Sequence, residues 1–292
     1  MNREWSFFKH CPLCQRDGFI RRYHLDSVHV FQCPSCHLRF LNPHLSSQSM
    51  LEVYSGEKSM RAARQCLSEY FEHQEGSRTE KFQHSILDLM SKIRPPGDLL
   101  DVGCGRGHFL GLARRKGWRV WGIEPAQEHA DHGRINQSLE IVTSKWEEAD
   151  FGDQRFDAIT LWDVIEHVPY PREILARVSH WLKKNGVVLI ATPNHKSLLN
   201  FIAEGIFICS GGWIQKPISF FYVPEHILYF TPSTLRRLMT ECGFRVIKEI
   251  KTGTDIDRYQ VAWTVKMTAK LLIPLARLLR AENRVVLIGE RA

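Results

Sequence analysis

From residue 98 onward, short apolar runs alternate with stretches whose apolar positions recur every three or four residues. The runs at Leu99–Val102, Trp118–Ile123, Leu139–Val142, Phe156–Trp162, Val187–Ala191, Phe244–Lys251 and Arg284–Gly289 predict seven strands. Between them, Phe109, Leu110, Leu112 and Ala113 share one face of a helix over His108–Lys116, and another helix follows Glu124-Pro125 to about Asn136. The clearest helical stripe is Ile174, Leu175, Val178, Trp181 and Leu182, ended by Asn185-Gly186. Thr231-Pro232 supplies a helix cap and a first-turn proline ahead of Leu235, Leu238, Met239 and Cys242, and Gly243 stops that helix. Alternation of this kind predicts an α/β fold, a doubly wound seven-stranded sheet with helices on both faces.

Upstream the pattern changes. Residues 46–97 are polar and interrupted, with helix expected over Ser49–Tyr54 and Thr79–Arg94. In the second of these, Phe82, Ile86, Leu89, Met90 and Ile93 form a stripe that would lie on the sheet, and Pro95-Pro96-Gly97 ends it. Residues 1–45 carry Cys11, Cys14, Cys33 and Cys36 as two C-x2-C turns, with Gly18–Leu25 and Val28–Gln32 as the arms of a short hairpin between them. Two such turns can aim four thiolates at one tetrahedral ion, so a zinc ribbon holding a structural zinc is expected. Two disulfides are the alternative, and the further scattered cysteines Cys66, Cys104, Cys209 and Cys242 argue against it. His10 and His37 flank the pairs and read as bystanders. The chain thus divides into a ribbon (1–45), a helical connection (46–97) and a main domain (98–292).

Composition narrows the picture further. With 43% hydrophobic residues the chain has ample material for a core. The balance of 39 Lys+Arg against 32 Asp+Glu gives +7, spread without a run of like charge, which does not point to nucleic acid. The N-terminus lacks the apolar core of about 7–15 residues that a signal peptide carries, so a cytoplasmic location is expected. Val261–Leu279 is apolar but broken by Lys266, Lys270, Pro274 and Arg277. That makes it a poor membrane span, while peripheral contact with a membrane surface is compatible with it. Oligomeric state is not fixed by the sequence.

The chemistry is concentrated where the first strand meets its helix. Asp101 precedes glycines at 103, 105 and 107, and backbone without Cβ lets a ligand approach closely. Glu124 ends the next strand, where it can accept hydrogen bonds from a ribose diol. A dinucleotide fingerprint would need glycine at 108, and His108 stands there. A carboxylate at Asp101 suits a cationic amino group, which S-adenosylmethionine has, together with a ribose and no phosphate.

The motifs D-V-G-C-G-R-G, G-I-E-P and F-D-A-I-T-L-W-D-V-I-E-H-V, spanning about residues 98–192, resemble the class I S-adenosylmethionine-dependent methyltransferases. The resemblance implies a Rossmann-like sheet whose last strand is antiparallel. It implies that Asp101, Gly103 and Gly105, with Gly107 completing the turn, hold the methionine and ribose part of the cofactor, with Glu124 on the ribose hydroxyls. Trp146 and Glu147 would lie near the adenine, and Trp162 and Asp163 would close the methionine end. The ribbon, L-N-P and E-H-I-L-Y-F-T-P-S-T-L also resemble bacterial small-molecule methyltransferases, including sugar enzymes and relatives serving surface-polysaccharide synthesis. An RNA methyltransferase and a non-catalytic cofactor-binding module are the alternatives.

Methyl transfer needs an aligned nucleophile and, where the nucleophile is protonated, a base. His167, just past the fourth strand, is one candidate. Tyr222, Glu225 and His226, beyond the fifth strand, are the others. The insert 194–224 is long and apolar, with Leu198, Leu199, Phe201, Ile202, Phe207, Trp213 and Phe221 among its residues, and is expected to form a lid over a hydrophobic or lipid-linked acceptor. A cap packed on the core is the plainer reading of the same residues.

Overall fold

The N-terminal segment forms five short strands, β1 (Trp5–Ser6), β2 (Ile20–His24), β3 (His29–Gln32), β4 (Arg39–Leu41) and β5 (His44–Leu45). The computed structural model describes residues 4–25, 28–55, 76–153, 155–253 and 263–292. The hairpin expected between the cysteine pairs is β2–β3, and β4 adds to it antiparallel. A fourth strand of this small sheet comes from far along the chain, since Leu228 pairs with Phe40 and Tyr229 with Arg39. The ribbon is therefore joined to the main domain by backbone hydrogen bonds as well as by packing.

Helix α1 (Ser47–Ser55) follows, and then α2 (Arg78–Ile93), which starts at Ser77, whose hydroxyl accepts from the Glu80 amide at 3.2 Å. The apolar stripe of α2 buries Ile86, Leu87 and Met90 against Leu99, Ala158 and Val187 of the sheet. The order from there is β6 (Asp98–Val102), α3 (His108–Arg115), β7 (Arg119–Ile123), α4 (Gln127–Gln137), β8 (Glu140–Val142) and β9 (Phe156–Trp162). A 3₁₀ turn (Ile165–His167) leads into α5 (Pro171–Trp181) and β10 (Leu182–Pro193). Ile174, Leu175, Val178 and Trp181 on α5 are all fully buried. Burial of each such side chain contributes about 1.5–3 kcal/mol. Helix α5 ends at Trp181, one residue short of the predicted stripe, because Leu182 already pairs with Phe156. Helices α6 (Leu198–Cys209) and α7 (Lys216–Ser219) make up the insert, ahead of β11 (Leu228–Tyr229), α8 (Pro232–Glu241), β12 (Phe244–Thr252), α9 (Trp263–Leu278) and β13 (Arg284–Arg291).

The main sheet has seven strands in the order β12-β13-β10-β9-β6-β7-β8. Only β13 runs against the rest, pairing antiparallel with both β10 and β12. Strand β6 lies centrally, parallel to β7 on one side and β9 on the other. The chain thus leaves β6 in opposite directions, and a crevice opens beyond the carboxyl end of that strand. That crevice holds the site.

Candidate active site

Backbone geometry shapes the floor of the crevice. Past Val102, the amides of Gly103 and Cys104 both donate to the carbonyl of Ile123, at 2.8 and 3.0 Å, which folds the chain back over the end of β7. Gly103, Gly105 and Gly107 all have positive φ. A Cβ on Gly103 would meet Val164 at 2.6 Å, whereas one on Gly105 would point into open space. Gly105 is thus the place where a ligand can touch bare backbone. Gly107 does not border the cavity, and a side chain there would strike Leu139. Close packing under the turn is what this position provides, apart from the cavity lining where the cofactor is expected.

Two buried carboxyls flank this turn. Asp101 is 2% exposed and accepts from the Thr160 hydroxyl of β9 at 2.6 Å. Burial, reinforced by the charge of Glu124 and only partly offset by Thr160, raises its pKa to about 7. Glu124 accepts from the amide of Gly105 and from that of Ala126, each at 2.9 Å. Burial raises its pKa although both amides pull the other way.

The cavity above them is about 460 Å³ and is bordered by Asp101, Gly103, Gly105, Glu124, Trp146, Glu147, Trp162, Asp163 and His167. Trp162 packs on Phe109, ring centroids 5.1 Å apart. Asp163 takes a left-handed backbone with φ 54°, rare for a residue with a side chain, and accepts from Arg284 at 2.7 Å. The opposite wall is made by Met50, Leu51 and Tyr54 of α1 and Arg78, Thr79 and Phe82 of α2, none of which stood out in the sequence as site residues.

His167 sits on the 3₁₀ turn after β9. Its Nδ1 lies 2.7 Å from the carbonyl of Glu225, a contact that needs the proton on Nδ1 and leaves Nε2 as the basic nitrogen. The Tyr54 hydroxyl lies near both ring nitrogens, 3.2 Å from Nδ1 and 3.3 Å from Nε2, and the His226 ring packs edge-on with its centroid 4.9 Å away. Glu166, next in the chain, is buried with Thr192 donating to it at 2.9 Å. Burial first, then the charge of Asp163, pushes it up to about 8. Glu166, His167 and His226 also bring three potential metal-ligand atoms within 4.8 Å of one another.

The other sequence candidates separate. Glu225 reaches the site through its backbone carbonyl, and its own side chain does not border the cavity. Tyr222 lies under the insert and away from the cavity lining, its hydroxyl 2.5 Å from His195 Nε2 and 2.8 Å from Arg39, and its pKa is raised well above the ordinary phenol value by burial. The insert also lies away from the cavity. No residue of 194–224 borders the cavity, and Ala203, Ile218 and Tyr222 instead pack on Tyr23, Val30 and Leu41 of the ribbon.

Comparison with known proteins identifies the chain. A sequence model of a family described as a methyltransferase domain matches residues 71–249. The chain belongs to the class I S-adenosylmethionine-dependent methyltransferases. It is 32% identical over 196 residues to a ubiquinone biosynthesis O-methyltransferase of Bradyrhizobium diazoefficiens, covering 63% of this chain and 71% of that protein. With the protein of the same name from Neisseria meningitidis serogroup C it shares 31% over 162 residues, 51% of this chain and 63% of that one. The fold matches a crystal structure of geranyl diphosphate C-methyltransferase from Streptomyces coelicolor, with TM-score 0.54 and 18% identity over 74% of this chain and 80% of that one.

The methyltransferase cavity fits S-adenosylmethionine in its donor set. A buried carboxyl at Asp101 suits an ammonium group, Glu124 has lone pairs left for a diol, and Gly105 leaves room against the backbone. The cysteine site fits a structural zinc equally well. Cys11 and Cys36 sulfurs are 3.5 Å apart, as are those of Cys14 and Cys33, and all four lie within 4.8 Å. Tetrahedral zinc at about 2.3 Å from each sulfur places them about 3.8 Å apart. Both turns have one build: the amides of Gln15 and His37, each with positive φ, donate at 2.9 Å to the carbonyls of Cys11 and Cys33.

Proposed function

We propose that this methyltransferase methylates a hydroxyl of a small, partly apolar acceptor, with His167 as the general base. The observation that carries this reading is the hydrogen bond from His167 Nδ1 to the Glu225 carbonyl, which leaves Nε2 basic at the cavity wall. When bound, S-adenosylmethionine supplies a methyl group already activated by the sulfonium charge. Asp101 would hold its amino group, Glu124 its ribose, Trp146 and Glu147 its adenine, and Trp162 with Asp163 the methionine end. Met50, Tyr54, Phe82, Val168 and Pro169 offer the acceptor a largely apolar wall. In the reaction the residues need only align the acceptor oxygen and move its proton to Nε2.

The relatives named as O-methyltransferases support an oxygen acceptor. They lend nothing specific to a sugar or surface-polysaccharide precursor, and the acceptor class is accordingly the wider one of hydroxyl-bearing small molecules. The test is single-turnover transfer of a labelled methyl group to a panel of catechols, hydroquinones, nucleotide sugars and RNA. Label on an oxygen of a small molecule is the expected result. Label found only on carbon or only on RNA would sink the reading.

A further inference from the structure

Helix α9 carries a stripe of exposed apolar residues at Trp263, Met267, Leu271, Leu275 and Leu278, spaced so that they share one face. Its opposite side buries Ala269 and Ala276, so the outward stripe is not a core face turned by mistake. Helix α6 packs beside α9 and adds exposed Phe201 and Ile208. The turn after α6 adds Trp213, 91% exposed, and Ile214. Two adjoining helices and the turn after one of them thus expose more large apolar residues than scattered surface hydrophobics explain.

Charge selects the occupant. From Trp263 to Ala281 the sequence has Lys266, Lys270, Arg277 and Arg280 and no acidic residue. Between Leu198 and Ser219 the sole acid is Glu204, which is turned inward onto Arg39, while Lys216 is exposed. An apolar stripe edged by cations and flanked by exposed tryptophans has the build of a helix lying in the interface of an anionic bilayer. A second copy of helix α9 would set these cations against one another. No described helix is long and apolar enough to cross a membrane.

We propose that the α6–α9 face docks the protein on an anionic lipid surface. The face is rooted beside the active site: the amide of Leu198 donates to the carbonyl of Ala281 at 2.8 Å, and Arg284 a few residues on borders the cavity. Docking would thus hold the cavity close to the bilayer.

The test is co-sedimentation of the full chain with vesicles of phosphatidylcholine alone and of phosphatidylcholine mixed with phosphatidylglycerol. Binding is expected to the anionic vesicles, to weaken as salt is raised, and to fall by about tenfold or more in the Leu271→Glu, Leu275→Glu double variant. Arg277→Gln with Arg280→Gln, both exposed, should erase the preference for anionic lipid while leaving the melting temperature in place. Absence of sedimentation with either vesicle, or equal sedimentation of wild type and the Leu→Glu variant, overturns the proposal. A concentration-dependent dimer that the Leu→Glu variant abolishes, without vesicle binding, also overturns it. None of these readouts depends on the acceptor, so they stand or fall apart from the proposed reaction.

Discussion

Arg39 of the ribbon strand β4 forks onto both carboxylate oxygens of Glu204 on helix α6. The pair is largely buried, and Tyr222, His195 and Asn200 complete its hydrogen bonds. Removing one partner leaves a charge in a poor solvent, so Arg39→Ala is expected to cost about 3 kcal/mol in urea unfolding. Replacing both, as Arg39→Met with Glu204→Leu, should recover most of that loss. A double-mutant cycle with no coupling would show that the two sides do not act as a pair.

The same pair makes a pH prediction. Burial alone would raise Glu204, but the hydrogen bonds from His195 and Arg39 and the Arg39 charge bring it down to about 2 from 4.5. A depressed carboxyl adds stability above its unfolded pKa and loses it as pH falls toward the folded value. Acid unfolding of Glu204→Gln should therefore be flatter than wild type over that interval.

Much of this fold is legible from periodicity, and the reason is local. Val187–Ala191 is a continuous apolar run, and Phe156–Trp162 is broken only by Asp157 and Thr160, because both sheet faces are covered, so their strands stand out in the sequence. What an apolar surface cannot announce is its partner. The 194–224 insert reads as a lid by composition, yet its inward side chains meet the ribbon, and the pairing of Leu228 with Phe40 joins positions remote in sequence. Tyr54 and Phe82 carry no site signature in the sequence because each sits in a polar segment whose helices read as scaffolding. The glycine turn and both carboxyls were visible because an acid and three glycines at a strand end have few purely structural uses.

Asp101 predicts how ligand affinity follows pH. Its folded pKa, raised to about 7, lies above the ordinary carboxyl value of 3.8. A raised acid stabilises the fold at low pH, and that contribution fades as pH climbs from about 4 to about 7. A ligand bearing an ammonium group needs the ionised form, so calorimetric affinity for S-adenosylhomocysteine should increase across the same interval. Asp101→Asn should remove the pH dependence and weaken binding by about tenfold, or about 1.4 kcal/mol. A wild-type affinity that is flat across this range would exclude Asp101 as the ammonium partner.

The glycines separate packing from ligand contact. Gly107→Ala places a methyl on Leu139 in a left-handed backbone and should lower stability by about 1–3 kcal/mol. In Gly105→Ala the methyl meets no protein atom and intrudes where the ligand is expected. Its larger effect should be on cofactor affinity, read by calorimetry beside thermal unfolding. Equal affinity losses in the two variants would contradict the division.

Zinc should reach the reaction through backbone. The ribbon strand β4 pairs with β11, Leu41 donates to the Ile227 carbonyl at 2.9 Å, and Ile227 donates to the Glu166 carbonyl at 2.8 Å. Two residues earlier, the Glu225 carbonyl holds His167. Chelation, or Cys11→Ser with Cys36→Ser, is thus expected to loosen the segment that fixes the imidazole and to reduce kcat. The cofactor turn at Gly103–Gly107 lies on other elements, so affinity for S-adenosylhomocysteine should persist. Loss of that affinity together with turnover would mean that the whole domain unfolds without the metal.

His167 is the sharpest test of the proposed chemistry. With the Glu225 carbonyl accepting from Nδ1, proton transfer to Nε2 is the step this side chain can perform, and a general base contributes about 10²–10⁴-fold. His167→Gln keeps a side chain of similar reach but cannot take up a proton near neutral pH. Its kcat on a hydroxyl acceptor should fall by that factor, while affinity for S-adenosylhomocysteine holds, because Asp101, Glu124 and Gly105 are untouched. His226 packs its ring against His167 without bordering the cavity, so His226→Ala should lower turnover by less. A base also leaves a signature that packing does not: the wild-type rate should rise with pH through one ionisation, and the residual rate of His167→Gln should lack it. An unchanged kcat, or a pH profile that survives the substitution, would move the base elsewhere in the cavity.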